Sequence, residues 1–185
     1  MTRSIPIEKI KDDCIIAWAM NGEALRPEQG YPIRLVVPGW EGNMWVKWLR
    51  RIEFGDKPYM TREETSKYTD LLSDGKARMF TWVMDAKSVI TSPCPEKPVL
   101  QKGIHQIRGL AWSGRGKIKR VDVSLDGGKN WKTAQLHSPV LEKSLTRFTI
   151  PFEWNGEEML LQSRAIDETN YVQPTIQELQ KIRGV

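Results

Sequence analysis

The chain has 185 residues, of which 39% are hydrophobic and 28% charged, with a net charge of +5. That length allows one domain or two small ones, and the balance excludes a disordered polar tail and suits a packed soluble protein. Eight tryptophans argue for core and interface surface, and the positive balance attracts anions without choosing among a cofactor, small oxyanions, an acidic partner and nucleic acid.

The opening MTRSIPIEKIKDD lacks the apolar core of a secretory signal, and no apolar run is long enough to span a bilayer. Ser4 is a candidate N-cap, with Pro6 in the first turn and Glu8 close behind. Ile7, Ile10, Cys14 and Trp18 recur at helical spacing, so residues 6–20 are expected to form an amphipathic helix with Cys14 as a small apolar packing residue. Asn21-Gly22 turns the chain into a polar loop, residues 23–29.

Gly30-Tyr31-Pro32 is a turn signal before a β-branched strand candidate, Ile33–Val37, which Pro38-Gly39 stops. A glycine-containing loop, Trp40–Asn43, leads into a second extended run, Met44–Leu49, continued as strand over residues 50–54. Arg34 and Lys47, with Arg50 and Arg51 beyond, suit an anion cradle of loop N–H groups and fixed cations. The same residues also suit a buried hairpin with a solvated basic end. The polar text over 55–75 holds a short helix candidate at Thr61–Lys67, with Thr61 as cap and Glu64 three residues on. Met79–Val83 reads as a short strand.

A domain boundary is expected near residue 86. Lys87–Lys102 reads as linker plus first strand, followed by strand candidates at Ile104–Trp112, Ile118–Leu125, Trp131–Leu136, Leu145–Phe152 and Met159–Ile166. Asp126-Gly127-Gly128 makes a hairpin turn, and Val121, Val123 and Leu125 alternate with Arg120, Asp122 and Ser124. Short strands with turns between them indicate an antiparallel sandwich, and Thr175–Lys181 a closing helix. The fold class is therefore α+β and mostly β. Cys14 and Cys94 lie far apart, and nothing in their spacing requires a disulfide or a zinc site. His105 and His137 suit surface or edge positions. No lysine–aromatic interleaving of the kind that binds nucleic acid is present.

The string GYPIRLVVPGWEGNMWVKWL resembles the molybdopterin domain of the sulfite oxidase family. DKPYMTREETSKYTD, residues 80–91 and GLAWSGRGKIKRVDVSLDGGKNW are similar to its SoxC type, the molybdenum subunit of sulfane (sulfite) dehydrogenases. The resemblance covers nearly the whole chain. It implies that residues 1–86 are the C-terminal part of the molybdopterin-binding domain. It also implies that residues 87–185 are an immunoglobulin-like dimerisation domain missing its last strand.

By the same resemblance Arg34 binds the pterin phosphate, and Trp45-Val46-Lys47 stands where a triplet closes on that group. Gln29 replaces a family histidine and Trp45 another, so the cradle is expected to keep its shape and change its detail. Tyr68 falls at the spacing of the active-site tyrosine, and Arg183 resembles the arginine lent to the substrate anion pocket. The implied cofactor is molybdenum-molybdopterin. The implied partners are a second copy through the C-terminal domain, a c-type cytochrome electron acceptor and an anionic sulfur substrate, with no nucleic acid and no membrane. The parent family is periplasmic. Neither Cys14 nor Cys94 stands at the family's metal-ligand cysteine, which lies upstream, so the chain reads as a C-terminal portion that is inactive alone. The alternative is an isolated immunoglobulin-like dimerisation or docking module without catalysis.

Overall fold

The computed structural model of the chain describes residues 2–72, 74–79 and 82–183. They group into two units, Met1–Val83 with Ile176–Val185, and Met84–Thr175.

In the first unit the expected helix over 6–20 is much shorter. Helix α1 covers Ile7–Asp12 and buries none of its residues. The chain then extends into β1, Ile15–Ala17. The reason lies in Ile15 and Ile16. Their β-branched side chains prefer extended backbone, and a strand partner is available in β4, Arg34–Val36, pairing Ile15 with Val36 and Ala17 with Arg34. Between them β2 (Ala19–Met20) and β3 (Glu23–Ala24) form a small hairpin across Asn21-Gly22. Ser4 does not cap α1, since Pro6 takes that position and the Ser4 N–H and hydroxyl both reach Glu64.

The second extended run after β4 is not a strand. Gly42–Met44 coils into a 3₁₀ turn, and Trp48 has φ of +51°, outside strand geometry. What survives is irregular pairing: Leu35 N–H donates to Val46 O at 2.9 Å and Leu49 N–H to Ile33 O at 2.9 Å. Residues 50–54 form no regular element, and Ile52 and Phe54 are exposed, so burial offers nothing to hold them in a sheet.

Helix α2, Arg62–Lys67, forms where expected, with Thr61 and Glu64 in a reciprocal capping box. Strands β5 (Thr69–Leu71) and β6 (Ala77–Met79) pair antiparallel. Of the strand expected over Met79–Val83, Phe80 and Thr81 lie outside the described residues, and Val83 bridges to Trp40. The core of this unit is Leu35, Val37, Trp40 and Met44, with Cys14, Val46 and Trp82 packed against it. Trp40 and Trp82 stack at 4.8 Å between ring centres.

The second unit is a two-sheet sandwich. One sheet has the order β11-β12-β8-β7, from β7 (Lys87–Ser92), β8 (Gly103–Trp112), β11 (Gln135–Leu136) and β12 (Thr146–Trp154). The other has the order β10-β9-β13, from β9 (Ile118–Ser124), β10 (Lys132–Thr133) and β13 (Gln162–Asp167). The return after the Asp126 turn is thus split, because Ala134 is buried between β10 and β11 and the chain changes sheets there. Ile107, Ala111, Phe148 and Phe152 from one sheet meet Val121, Val123 and Ala165 from the other in one core. The alternation along β9 has a refinement: Asp122 faces away from that core yet is buried, covered by Arg120 and Arg164. Helix α3, Ile176–Arg183, closes the chain and groups with the first unit. The fold is mostly β.

Candidate functional site

The cradle is built on one tight turn. Pro27–Gln29 is a 3₁₀ turn, started by proline and closed by Gly30 in left-handed backbone, φ +111°. Gln29 Oε1 accepts from the Arg26 N–H at 3.0 Å and holds the turn closed. Three successive carbonyls of this turn are each taken by a side chain. Trp48 Nε1 donates to Pro27 O at 3.1 Å, Lys47 Nζ to Glu28 O at 2.6 Å, and Arg34 Nη1 to Gln29 O at 3.0 Å. The two cations come from paired segments, Arg34 from β4 and Lys47 from the irregular run hydrogen-bonded to it. Gly30 is where they meet. A methyl group at Gly30 would stand 3.0 Å from Lys47 Cβ and 3.3 Å from Arg34 Cβ.

The expected cofactor-binding residues divide. Gln29, Arg34 and Lys47 converge on the turn. Trp45 flanks them, its ring 5.6 Å from the Arg34 guanidinium carbon and its indole N–H donating to Trp40 O at 3.1 Å. Val46 packs against the core of the unit and contributes backbone pairing. Trp48 and Gly30 belong to the cradle as well. Trp48 escaped the sequence reading because its role depends on a positive φ that nothing in the residue type announces.

The electrostatics favour an anion. Carbonyl oxygens are neutral, so the hydrogen bonds orient Arg34 and Lys47 without cancelling their charges. Among the described residues neither meets a carboxylate. Arg34 Nε is buried and has no partner. A buried cationic donor left unspent is costly, and a phosphate oxygen would satisfy it through a charge-assisted bond. The residues present therefore fit a phosphate group.

Tyr68 lies at the C-terminal end of α2, half-buried, with the Arg3 guanidinium 4.1 Å from its ring centre. Its contact is with Arg3 rather than with a cradle residue. Arg183 ends α3, and its side chain lies outside the described residues. Cys14 and Cys94 are both half-buried. No group of three or more metal-ligating side chains occurs among the described residues, and no described helix is long and apolar enough to cross a membrane.

Comparison with known proteins bears on the same two units. Residues 1–63 match the family model for an oxidoreductase molybdopterin binding domain, and residues 78–185 that for a Mo-co oxidoreductase dimerisation domain. Chicken sulfite oxidase is 32% identical over 188 residues, covering 94% of this chain and 40% of its own length. A tomato NADH nitrate reductase is 31% identical, covering 88% of this chain and 21% of its own length. The crystal structure of the sulfane dehydrogenase SoxCD from Paracoccus pantotrophus superposes with a TM-score of 0.95 at 65% identity. It covers 98% of this chain and 47% of that chain. The chain thus spans less than half the length of each of these relatives. With the pterin-domain model on the unit that carries the cradle and the dimerisation model on the sandwich, the chain belongs to the sulfite oxidase family of molybdopterin oxidoreductases, in its SoxC type.

Proposed function

We propose that residues 1–86 are the C-terminal part of a molybdopterin-binding domain and residues 87–185 its dimerisation domain. Together they form the C-terminal portion of a sulfane or sulfite dehydrogenase. The pair of cations on the Pro27–Gln29 turn, met by no carboxylate among the described residues and with Arg34 Nε unspent, is the observation that carries this reading. Arg34 would hold the terminal phosphate of the pterin, its buried and unspent Nε offering a charge-assisted bond, and its planar guanidinium suits an oxyanion better than a lysine would. Lys47, packed like Arg34 against Gly30, would add a point charge. Gln29 holds the turn that aims both, and Trp45 steadies the guanidinium from its ring face. When bound, the molybdenum-molybdopterin group supplies two-electron oxidation of a sulfur atom, with oxygen from water.

The remaining roles follow the same reading. Tyr68 stands beside the reacting sulfur and holds or passes a proton at its phenolic oxygen. Arg183 binds the anionic sulfur substrate. Electrons leave to a c-type cytochrome, the sandwich joins two copies, and the parent protein works in the periplasm. Neither Cys14 nor Cys94 serves as metal ligand, so residues 1–185 alone are not expected to turn over substrate.

The test is substitution in the complete enzyme. Arg34→Gln and Lys47→Gln are each expected to lower molybdopterin content at least fivefold, read by the fluorescence of the oxidised, released pterin. Full cofactor content in both variants would refute the reading. A non-catalytic dimerisation or docking module has one observation in its favour: the sandwich closes a core of its own. Limited proteolysis separates the two. A stable fragment 84–175 with rapid loss of residues 1–83 favours the module, whereas comparable resistance of both favours the enzyme portion.

A further inference from the structure

Arg3 is the most unusual cation outside the cradle. Its guanidinium lies 4.1 Å from the centre of the Tyr68 ring. Nε donates to the backbone carbonyl of Asn43 at 2.9 Å and Nη1 to Thr2 O at 3.1 Å. Nη2 is buried and has no partner. Among the described residues no carboxylate pairs with Arg3. Glu64, buried and bonded to the adjacent Ser4, spends its oxygens on the Ser4 N–H and hydroxyl and on Thr61. Asn43 leaves a second polar atom unspent: its Oδ1 is buried without a partner, while its Nδ2 donates to Glu41.

This arrangement does two things. It fixes Tyr68, because the guanidinium covers one ring face while Ser4 and Glu64 clamp the start of the helix that ends at Tyr68. Ser4 Oγ also accepts from the Tyr59 N–H at 3.0 Å, which ties the segment before the helix to the same clamp. It also keeps a positive N–H available beside the tyrosine, where a buried cation without a counter-ion is costly unless an anion completes it. An unspent donor on Arg3 and an unspent acceptor on Asn43, two residues already joined by the bond from Arg3 Nε to Asn43 O, suit one kind of ligand. That ligand is an oxyanion carrying a proton, which accepts from Arg3 and donates to Asn43.

We propose that Arg3 is a substrate-binding residue: its Nη2 donates to an oxygen of a sulfur oxyanion beside Tyr68, with Asn43 Oδ1 accepting a hydrogen bond from the anion's O–H. The proposal rests on the reading of Tyr68 as the tyrosine beside the reacting sulfur, and adds to it a recognition residue from the N-terminal segment.

The chain has four tyrosines, so ζ-¹³C-tyrosine labelling gives four resonances, with Tyr68 assigned by Tyr68→Phe. Sodium sulfite is titrated into the labelled chain, with sodium chloride at matched ionic strength as control. The expected result is a saturable shift of the Tyr68 resonance and of the Arg3 Nε–Hε correlation, specific to sulfite. Arg3→Gln weakens it at least tenfold, and Arg3→Lys restores part of it. Equal titration of Tyr68 in wild type and Arg3→Gln overturns the role of Arg3 while leaving the Tyr68 reading intact. No sulfite-specific shift, or the same shift with chloride, overturns the proposal and points to a fixed water instead. Turnover of Tyr68→Phe in the complete enzyme tests the underlying reading separately.

Discussion

Gly30 shows how one hydrogen atom sets the spacing of the cradle. At φ +111° a side chain is strained, and a methyl group there would press on Lys47 Cα at 3.1 Å as well as on its Cβ. Gly30→Ala is expected to cost about 2 kcal/mol and to loosen the grip on phosphate, read by urea unfolding and by cofactor content. Unchanged stability would mean that the turn yields without cost. At this scale the sequence was informative where chemistry and spacing agree. Arg34 and Lys47 stood out as candidate cations of an anion cradle, whereas Gln29 was named only through the family resemblance; the structure brings all three to one turn. Arg3 was not, because a basic residue near an N-terminus carries no signal until α2 and the Gly42–Met44 turn are folded beside it. Glu64 was legible as a capping residue, yet its bonds to Ser4, sixty positions away, were not.

Among the elements, β13 and the turn after it concentrate the buried polar chemistry. Asp167 is fully buried at the end of β13. Ser113 Oγ donates to it at 2.7 Å, and Thr169 Oγ1, Thr169 N–H and Tyr171 N–H donate at 2.6, 3.0 and 3.1 Å. Burial works to raise its carboxyl, but these hydrogen bonds outweigh burial and hold it below the usual range. Asp126, in the turn after β9, is likewise held low, first by the Asn130 N–H and then by the Ser124 hydroxyl and the Asn130 amide. Both groups bind protons more readily in the unfolded chain. Their contribution is therefore complete above the ordinary aspartate range, about pH 4, and is lost as pH falls from there through the lower folded values. Urea midpoints measured from pH 7 down to pH 3 should fall below about pH 4. Asp167→Asn should be less stable at pH 7, by roughly 3 kcal/mol, and show a shallower acid decline. An equally steep decline in that variant would assign the acid sensitivity elsewhere.

The sandwich has its own tight point on β8. A methyl group on Gly109 would lie 2.2 Å from Phe148 Cζ and 2.4 Å from Val89 O. Phe148 fills the centre of the core and the Val89 carbonyl belongs to the neighbouring strand, so neither can give way. Gly109→Ala should cost about 3 kcal/mol or more, and a midpoint within error of wild type would contradict this packing. Most strands of this unit were legible from their alternation. The α1–β1 region was not, because Ile7, Ile10, Cys14 and Trp18 satisfy helical spacing while Ile15 and Ile16 have a strand partner in β4. Periodicity within one segment cannot register a partner twenty residues downstream.

For the molecule as a whole, two units with separate cores carry two separable claims. The sandwich claim is association: light scattering should give twice the chain mass of 21.3 kDa, and the chain mass itself at micromolar concentration would contradict a dimerising role. The claim of the first unit is a phosphate grip, and the most direct measurement addresses the chain itself. A simple phosphomonoester such as phenyl phosphate is titrated into ¹⁵N-labelled protein while the Arg34 Nε–Hε and Lys47 amide correlations are followed. The account predicts that both shift along one saturable curve and that Arg34→Gln weakens the Lys47 response at least tenfold. Independent curves for the two residues, or no response at either, would contradict it.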